Sequence, residues 1–142
     1  MNKQCLDIKQ MQHLQELGLK LKETLLYWAR CVDNSPCAAT HYEEWALIKG
    51  NNTPPTVGFT SWQFIPAYTL QDILDLLPYK TVASYLHIGR KSFSGDILFY
   101  VEYSNFGGYA VSHFRSESLI EAAYEMLCWC IENKFVETNK NE

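Results

Sequence analysis

The sequence predicts an α+β domain in which an antiparallel sheet, built from two N-terminal strands and a three-stranded meander, packs with three helices in the order αββαβββα. Three observations carry this. Apolar residues recur at steps of three and four in three segments with capping signals, they alternate with period two between Val82 and Phe114, and the intervening stretches are rich in Gly, Pro, Asn and Ser.

The first helix is predicted to start near Ile8. Asp7 is a ready N-cap, Gln10 completes a capping box, and Leu6 before the cap can pack on Met11. Gly18 stops it, because glycine takes the left-handed conformation that lets Leu19 fold back on Leu14. Thr24 to Val32, with Leu25, Leu26, Tyr27 and Trp28, then reads as a strand ended by the Asp33 to Pro36 cluster, and Glu43 to Lys49 as a second. Residues 50–67 read as a long irregular connection, since Asn51, Asn52, Thr53, Pro54 and Pro55 cannot sustain an element. A short helix follows, capped by Thr69, with Leu70, Ile73, Leu74 and Leu77 on one face and Pro78 as its stop.

In the meander, Leu86 and Ile88 share a face opposite Tyr85 and His87, while Ile97, Phe99, Val101 and Tyr103 alternate with Leu98, Tyr100 and Glu102. The links are placed at Gly89 to Asp96 and Ser104 to Gly108, with the third strand from Tyr109 to Phe114. The last helix, about Glu117 to Asn133, carries Ala122, Ala123, Met126, Leu127, Cys130 and Ile131 on one stripe and Glu117, Glu121, Glu125 and Glu132 on the other side; Ser118 and Glu121 are spaced for a capping box.

Composition agrees with one folded domain over residues 1–142. Leu, Ile, Val and Phe account for 37 of the 142 residues, above the roughly 20% below which disorder becomes the default. The formal charge of −4 gives no global pull toward phosphate or anionic lipid, so nucleic acid is disfavoured as a partner. No apolar run suits a signal peptide or a membrane span, and a cytoplasmic location is expected. Of the 20 aromatic residues, only Tyr124 and Trp129 fall in the predicted helices. The aromatic surplus therefore belongs to the strands and their connections.

No metal or cofactor site is expected. Cys31, Cys37 and His41 cluster within eleven residues, yet zinc wants four converging ligands, and Cys128 and Cys130, two apart on a helix, point away from each other. A Cys/His enzyme, with Cys128 or Cys37 activated by His87 or His113, is an alternative that five cysteines and four histidines permit by number alone. No nucleophile elbow, phosphate loop, HExxH or EF-hand pattern accompanies it. A second alternative is a weak single-stranded nucleic-acid binder using aromatics with Arg90, Lys91 and Lys80, read against the plainer view that Arg90 and Lys91 are a solvated hairpin turn or an edge safeguard.

The most informative residues lie on the sheet. With Leu86, Ile88, Ile97, Phe99 and Val101 toward the helices, Tyr85, His87, Tyr100 and Glu102 line the opposite face, whose half-apolar rings suit a protein contact or self-association. Tyr85, His87 and Tyr100, with Phe59, Trp62 and Phe64 of the long connection, form the candidate binding surface. In the competing reading, the first two strands or the Phe59 to Ile65 segment cover that face within the domain.

Three runs also carry a resemblance: Met11 to Gly18 (MQHLQELG), Ile65 to Pro78 (IPAYTLQDILDLLP) and Ala122 to Asn133 (AAYEMLCWCIEN). Together the chain resembles a group of small uncharacterised proteins encoded by phages and mobile elements of gut Bacteroidetes. The likeness runs from Met11 to Val136, except between about Leu19 and Thr60. It implies an intracellular bacterial setting in which small acidic domains act by binding other proteins; it transfers no catalytic or ligand residues. The expected function is a non-enzymatic accessory or protein-binding domain.

Overall fold

A computed structural model describes residues 3–31, 45–49 and 62–138, with Cys31 and Trp62 described through their backbone. Helix α1 (Ile8–Glu16) begins as its sequence requires: Asp7 Oδ1 accepts from Gln10 N at 2.8 Å, and Asp7 N donates to Gln10 Oε1 at 3.1 Å. Its end is a Schellman motif, with Gly18 at φ 101°, Leu19 N donating to Leu14 O and Gly18 N to Gln15 O. Leu14 and Leu19 are both buried, so the stop also delivers an apolar contact to the core.

Strands β1 (Leu26–Cys31) and β2 (Ala46–Lys49) pair antiparallel, Trp28 opposite Leu47. The last residues of the predicted irregular connection form a strand: β3 (Trp62–Pro66) pairs antiparallel with β1 and gives a sheet ordered β2-β1-β3. An aromatic and β-branched run, Trp62, Phe64 and Ile65, favours this pairing. Pro66 is tolerated because it closes an edge strand, and the ladder resumes one residue later with Ala67 N donating to Leu26 O at 2.9 Å.

Helix α2 (Leu70–Leu76) carries the Thr69 capping box, closed by Asp72, which also accepts from Thr24 Oγ1 at 2.6 Å. The meander is β4 (Tyr85–Phe93), β5 (Asp96–Ser104) and β6 (Ala110–Ser116), ordered β4-β5-β6 in a second antiparallel sheet. Among the described residues, the predicted α+β class, three helices and antiparallel pairing therefore hold, with one strand added and the strands divided between two sheets.

One boundary changes what the second sheet can do. The expected link from Gly89 to Asp96 is strand over most of its length, and the turn shrinks to Ser94 and Gly95, at φ 52° and 94°. Two successive positive φ angles match the tight hairpin turn whose twist suits paired strands. Arg90 and Lys91 consequently stand within β4 and point to opposite faces.

Helix α3 (Leu119–Glu132) packs on β5 and β6 and on α2. The expected box between Ser118 and Glu121 does not form; Ser118 makes no side-chain cap, and Glu121 instead accepts from Lys3 Nζ and from Gln10 Nε2, each at 2.7 Å, tying α3 to α1. One buried cluster takes Leu6, Met11 and Leu14 from the N-terminal segment, Ile65 from β3, Ile73 from α2, Val101 and Tyr103 from β5, and Met126, Leu127 and Cys130 from α3. Among the described residues no helix is long and apolar enough to cross a membrane.

Candidate functional site

The second sheet has two unlike faces. On the helix side, Val101 and Tyr103 are fully buried, and the Tyr103 hydroxyl donates to Pro78 O at 2.6 Å while Cys130 Sγ lies 3.6 Å away. α3 packs on β5 and β6, which leaves β4 and the hairpin tip outside its cover. Ile97, expected to face the helices, is 61% exposed at that tip, and Ile88 on β4 is exposed as well.

The other face presents Tyr85, His87, Gly89, Lys91 and Phe93 from β4, Tyr100 and Glu102 from β5, and His113 and Arg115 from β6. Register brings them together: Gly89 is opposite Tyr100, which is opposite Arg115, and Glu102 sits between His87 and His113. The absence of a side chain at Gly89 is what lets the Tyr100 ring lie across the strand, since a Cβ there would come within 2.6 Å of the hydroxyl and 2.8 Å of ring carbons. His113 is near-parallel to Tyr100, with planes 11° apart and centroids 6.0 Å apart, and Phe93 meets both rings edge-on. Two cations lie against these rings: Lys91 Nζ is 4.9 Å from the Tyr100 centroid and 5.3 Å from that of Phe93, and Arg115 Cζ is 4.5 Å from that of Phe93. The carboxylate nearest the rings, Glu102, is engaged by His113 Nδ1 at 2.9 Å.

Toward the other end of the face, Tyr85 takes an edge contact from Phe106 with centroids 5.2 Å apart. Phe106 stands in the β5–β6 turn, held by Asn105 Oδ1 accepting from Gly107 N and Tyr109 N, and is 86% exposed.

Of the predicted surface residues, Tyr85, His87 and Tyr100 share this face. Phe64 belongs to β3 in the first sheet, where it is 48% exposed; Trp62 is placed there through its backbone, and Phe59 lies outside the described residues. Because residues 62–66 and both N-terminal strands are committed to the first sheet, none of these strands adds to the β4-β5-β6 ladder. Phe93, His113 and Arg115 were not expected here. The period-two pattern of Ala110 to Ser116 carries the signal for His113 and Arg115, whereas the loop-like composition of residues 89–96 masks Phe93.

Of the described thiols, Cys130 and Cys128 resist ionisation. Burial is the main cause that pushes Cys130 and Cys128 up to about 11, and for Cys128 the nearby Glu132 and Glu125 add to it. Cys130 is a core residue, as its position on the apolar stripe predicts. Cys128 lines an open groove of about 500 Å³ between α1, β6 and α3 together with His13, Phe114, Glu125, Trp129 and Glu132. His113, one proposed activating base, is on the opposite face of the sheet and paired with Glu102. Cys37 and His41 lie outside the described residues, as does the Cys31 side chain, and no group of three or more metal-ligating side chains occurs among the described residues.

No protein-family model matches the chain, and no curated protein or solved structure matches it significantly.

Proposed function

We propose that this chain is a non-enzymatic accessory binding domain, working in the cytoplasm of a bacterial host of a phage or mobile element, and that its working surface is the open face of β4, β5 and β6. The observation that carries the reading is the gathering of Phe93, Tyr100 and His113 with Lys91 and Arg115 on a face outside the hydrophobic core. Rings with polar edges and cations on a rigid sheet supply contact area at small conformational cost, which is what a recognition surface needs. Catalysis is the weaker reading, because the Cys130 and Cys128 thiols, pushed up to about 11, are protonated near neutrality. Self-association through this face also fits less well, since a twofold contact would bring the same cation-bearing patch to both sides.

Chemical footprinting tests the proposal. The chain is treated with a histidine acylating reagent and a tyrosine nitrating reagent, alone and in an extract of its natural cell, and modified residues are located by mass spectrometry. Protection should appear at Tyr85, His87, Tyr100 and His113. Protection only along the α1 and α3 groove, at His13 and Tyr124, or none at all, would remove the reading.

A further inference from the structure

We infer that the ligand of this face is single-stranded nucleic acid, with unpaired bases stacked on the Tyr100 and His113 rings and phosphates held by Lys91 and Arg115. The inference rests on the binding reading above and names its partner. Single-stranded chains are bound by flat rings beside a cationic track: each base has a π-face to lay on a ring, and each phosphate needs a nearby cation. The three-stranded sheet meets both requirements within one register block. Gly89 leaves room for Tyr100 to lie across the strand, His113 continues a nearly parallel plane, and Lys91 and Arg115 stand at the ring faces.

Charge is distributed in the sense a polyanion requires, although the chain as a whole carries −4. Glu121, Glu125 and Glu132 line the groove beside Phe114, on the helix side of the sheet. On the open side Glu102 is paired with His113, and Asp96 stands at the hairpin tip opposite Phe93. Arg90, 5.3 Å from the Phe99 ring on the back of the hairpin, adds a third cation at the same end. Arg90 and Lys91 stand within β4, an edge strand, and not on a turn; Lys91 also lies against the Tyr100 and Phe93 rings, which guarding an edge does not require. A duplex fits poorly, because its bases are already stacked and offer no free faces to these rings.

Fluorescence anisotropy with labelled oligo-dT and oligo-U of ~20 nucleotides, and with a duplex of equal length, tests this at low and moderate salt. The single strands should bind with a log–log salt slope of about −1.4, the value for two neutralised phosphates, and the duplex more weakly. Lys91→Gln and Arg115→Gln, at exposed positions where folding is not at stake, should each reduce that slope by about 0.7. Tyr100→Ala should weaken binding about 5- to 100-fold, and Tyr100→Phe, which keeps the stacking surface, should bind like the parent chain. No binding to single strands at low salt, equal binding to the duplex, or affinity unchanged by Lys91→Gln, Arg115→Gln and Tyr100→Ala would overturn the inference. Footprint protection that survives nuclease treatment of the extract but not protease treatment would also overturn it, by assigning the face to a protein, while leaving the binding reading in place.

Discussion

Tyr100 and Tyr103 stand three residues apart on β5 and point to opposite sides of the sheet. Tyr103 is fully buried between β5 and α3, stacks with Trp129, and has its hydroxyl held by Pro78 O. Tyr100 lies across Gly89 in the company of His113, Phe93 and Lys91, on a face where His87 and Arg115 are exposed. The same residue type serves as core on one side and as surface on the other. What separates them is cover: α3 supplies one face with apolar side chains, and the described strands supply no such layer to the other. On β5, therefore, the period of the strand alone assigns one tyrosine to the core and the other to the open face.

The comparison is sharpest in stability. Tyr103→Ala should cost about 3–5 kcal/mol in urea denaturation, the range for deleting a large buried aromatic side chain. Tyr100→Ala should cost less than about 1.5 kcal/mol, because its ring is only partly buried. Equal losses would mean that the open face is a second core and would break the contrast.

Titration should report on the buried side. Burial raises the Cys130 thiol to about 11 and lifts the Tyr103 phenol well above its ordinary range, so both remain protonated in the fold. The ordinary thiol value is 9.0, and a group whose folded value is raised contributes stability that is whole below the unfolded value and lost as pH climbs through the folded one. Urea midpoints should hold steady from about pH 7 to 8.5 and fall between about pH 9 and 11. A Cys130→Ala variant should show a smaller fall over that window; an unchanged fall would show that the thiol is not responsible.

The division between faces was readable from the sequence because period two fixes parity without reference to what lies opposite. Parity placed Tyr85, His87 and Tyr100 on one face and Val101 and Tyr103 on the other, as observed. The length of the strands was not readable. Gly89, Ser92, Ser94 and Gly95 give residues 89–96 the composition of a loop, whereas only Ser94 and Gly95 adopt positive φ. Gly89 serves a different purpose, as the gap that Tyr100 fills, and that depends on a partner eleven residues away. Helix termini were legible where the signal is local, as at Asp7, Gly18 and Thr69. They failed at Ser118, where tertiary partners Lys3 and Gln10 take the carboxylate of Glu121 that a local box would have used.

Two smaller effects refine the contrast. Asp7→Ala removes the cap of α1 and should cost about 1 kcal/mol, measured by thermal or urea unfolding, while leaving the chemical reactivity of His87 and His113 unchanged. Gly89→Ala should change stability by less than about 1 kcal/mol, since alanine gains strand propensity and the displaced atoms are the outer end of a side chain that can swing away. Its effect should instead be on Tyr100: the ring lifts from the sheet, and tyrosine nitration at that position rises. An unaltered nitration rate would contradict the packing described for the open face.

The most direct test is an amide chemical-shift titration of the isotopically labelled full chain with a single-stranded oligonucleotide. Base stacking on the open face should concentrate the shifts at Gly89, Lys91, Tyr100, His113 and Arg115, with the core amides of Val101 and Tyr103 moving less. Shifts confined to the groove around His13, Tyr124 and Trp129, or a spectrum that does not change, would contradict it.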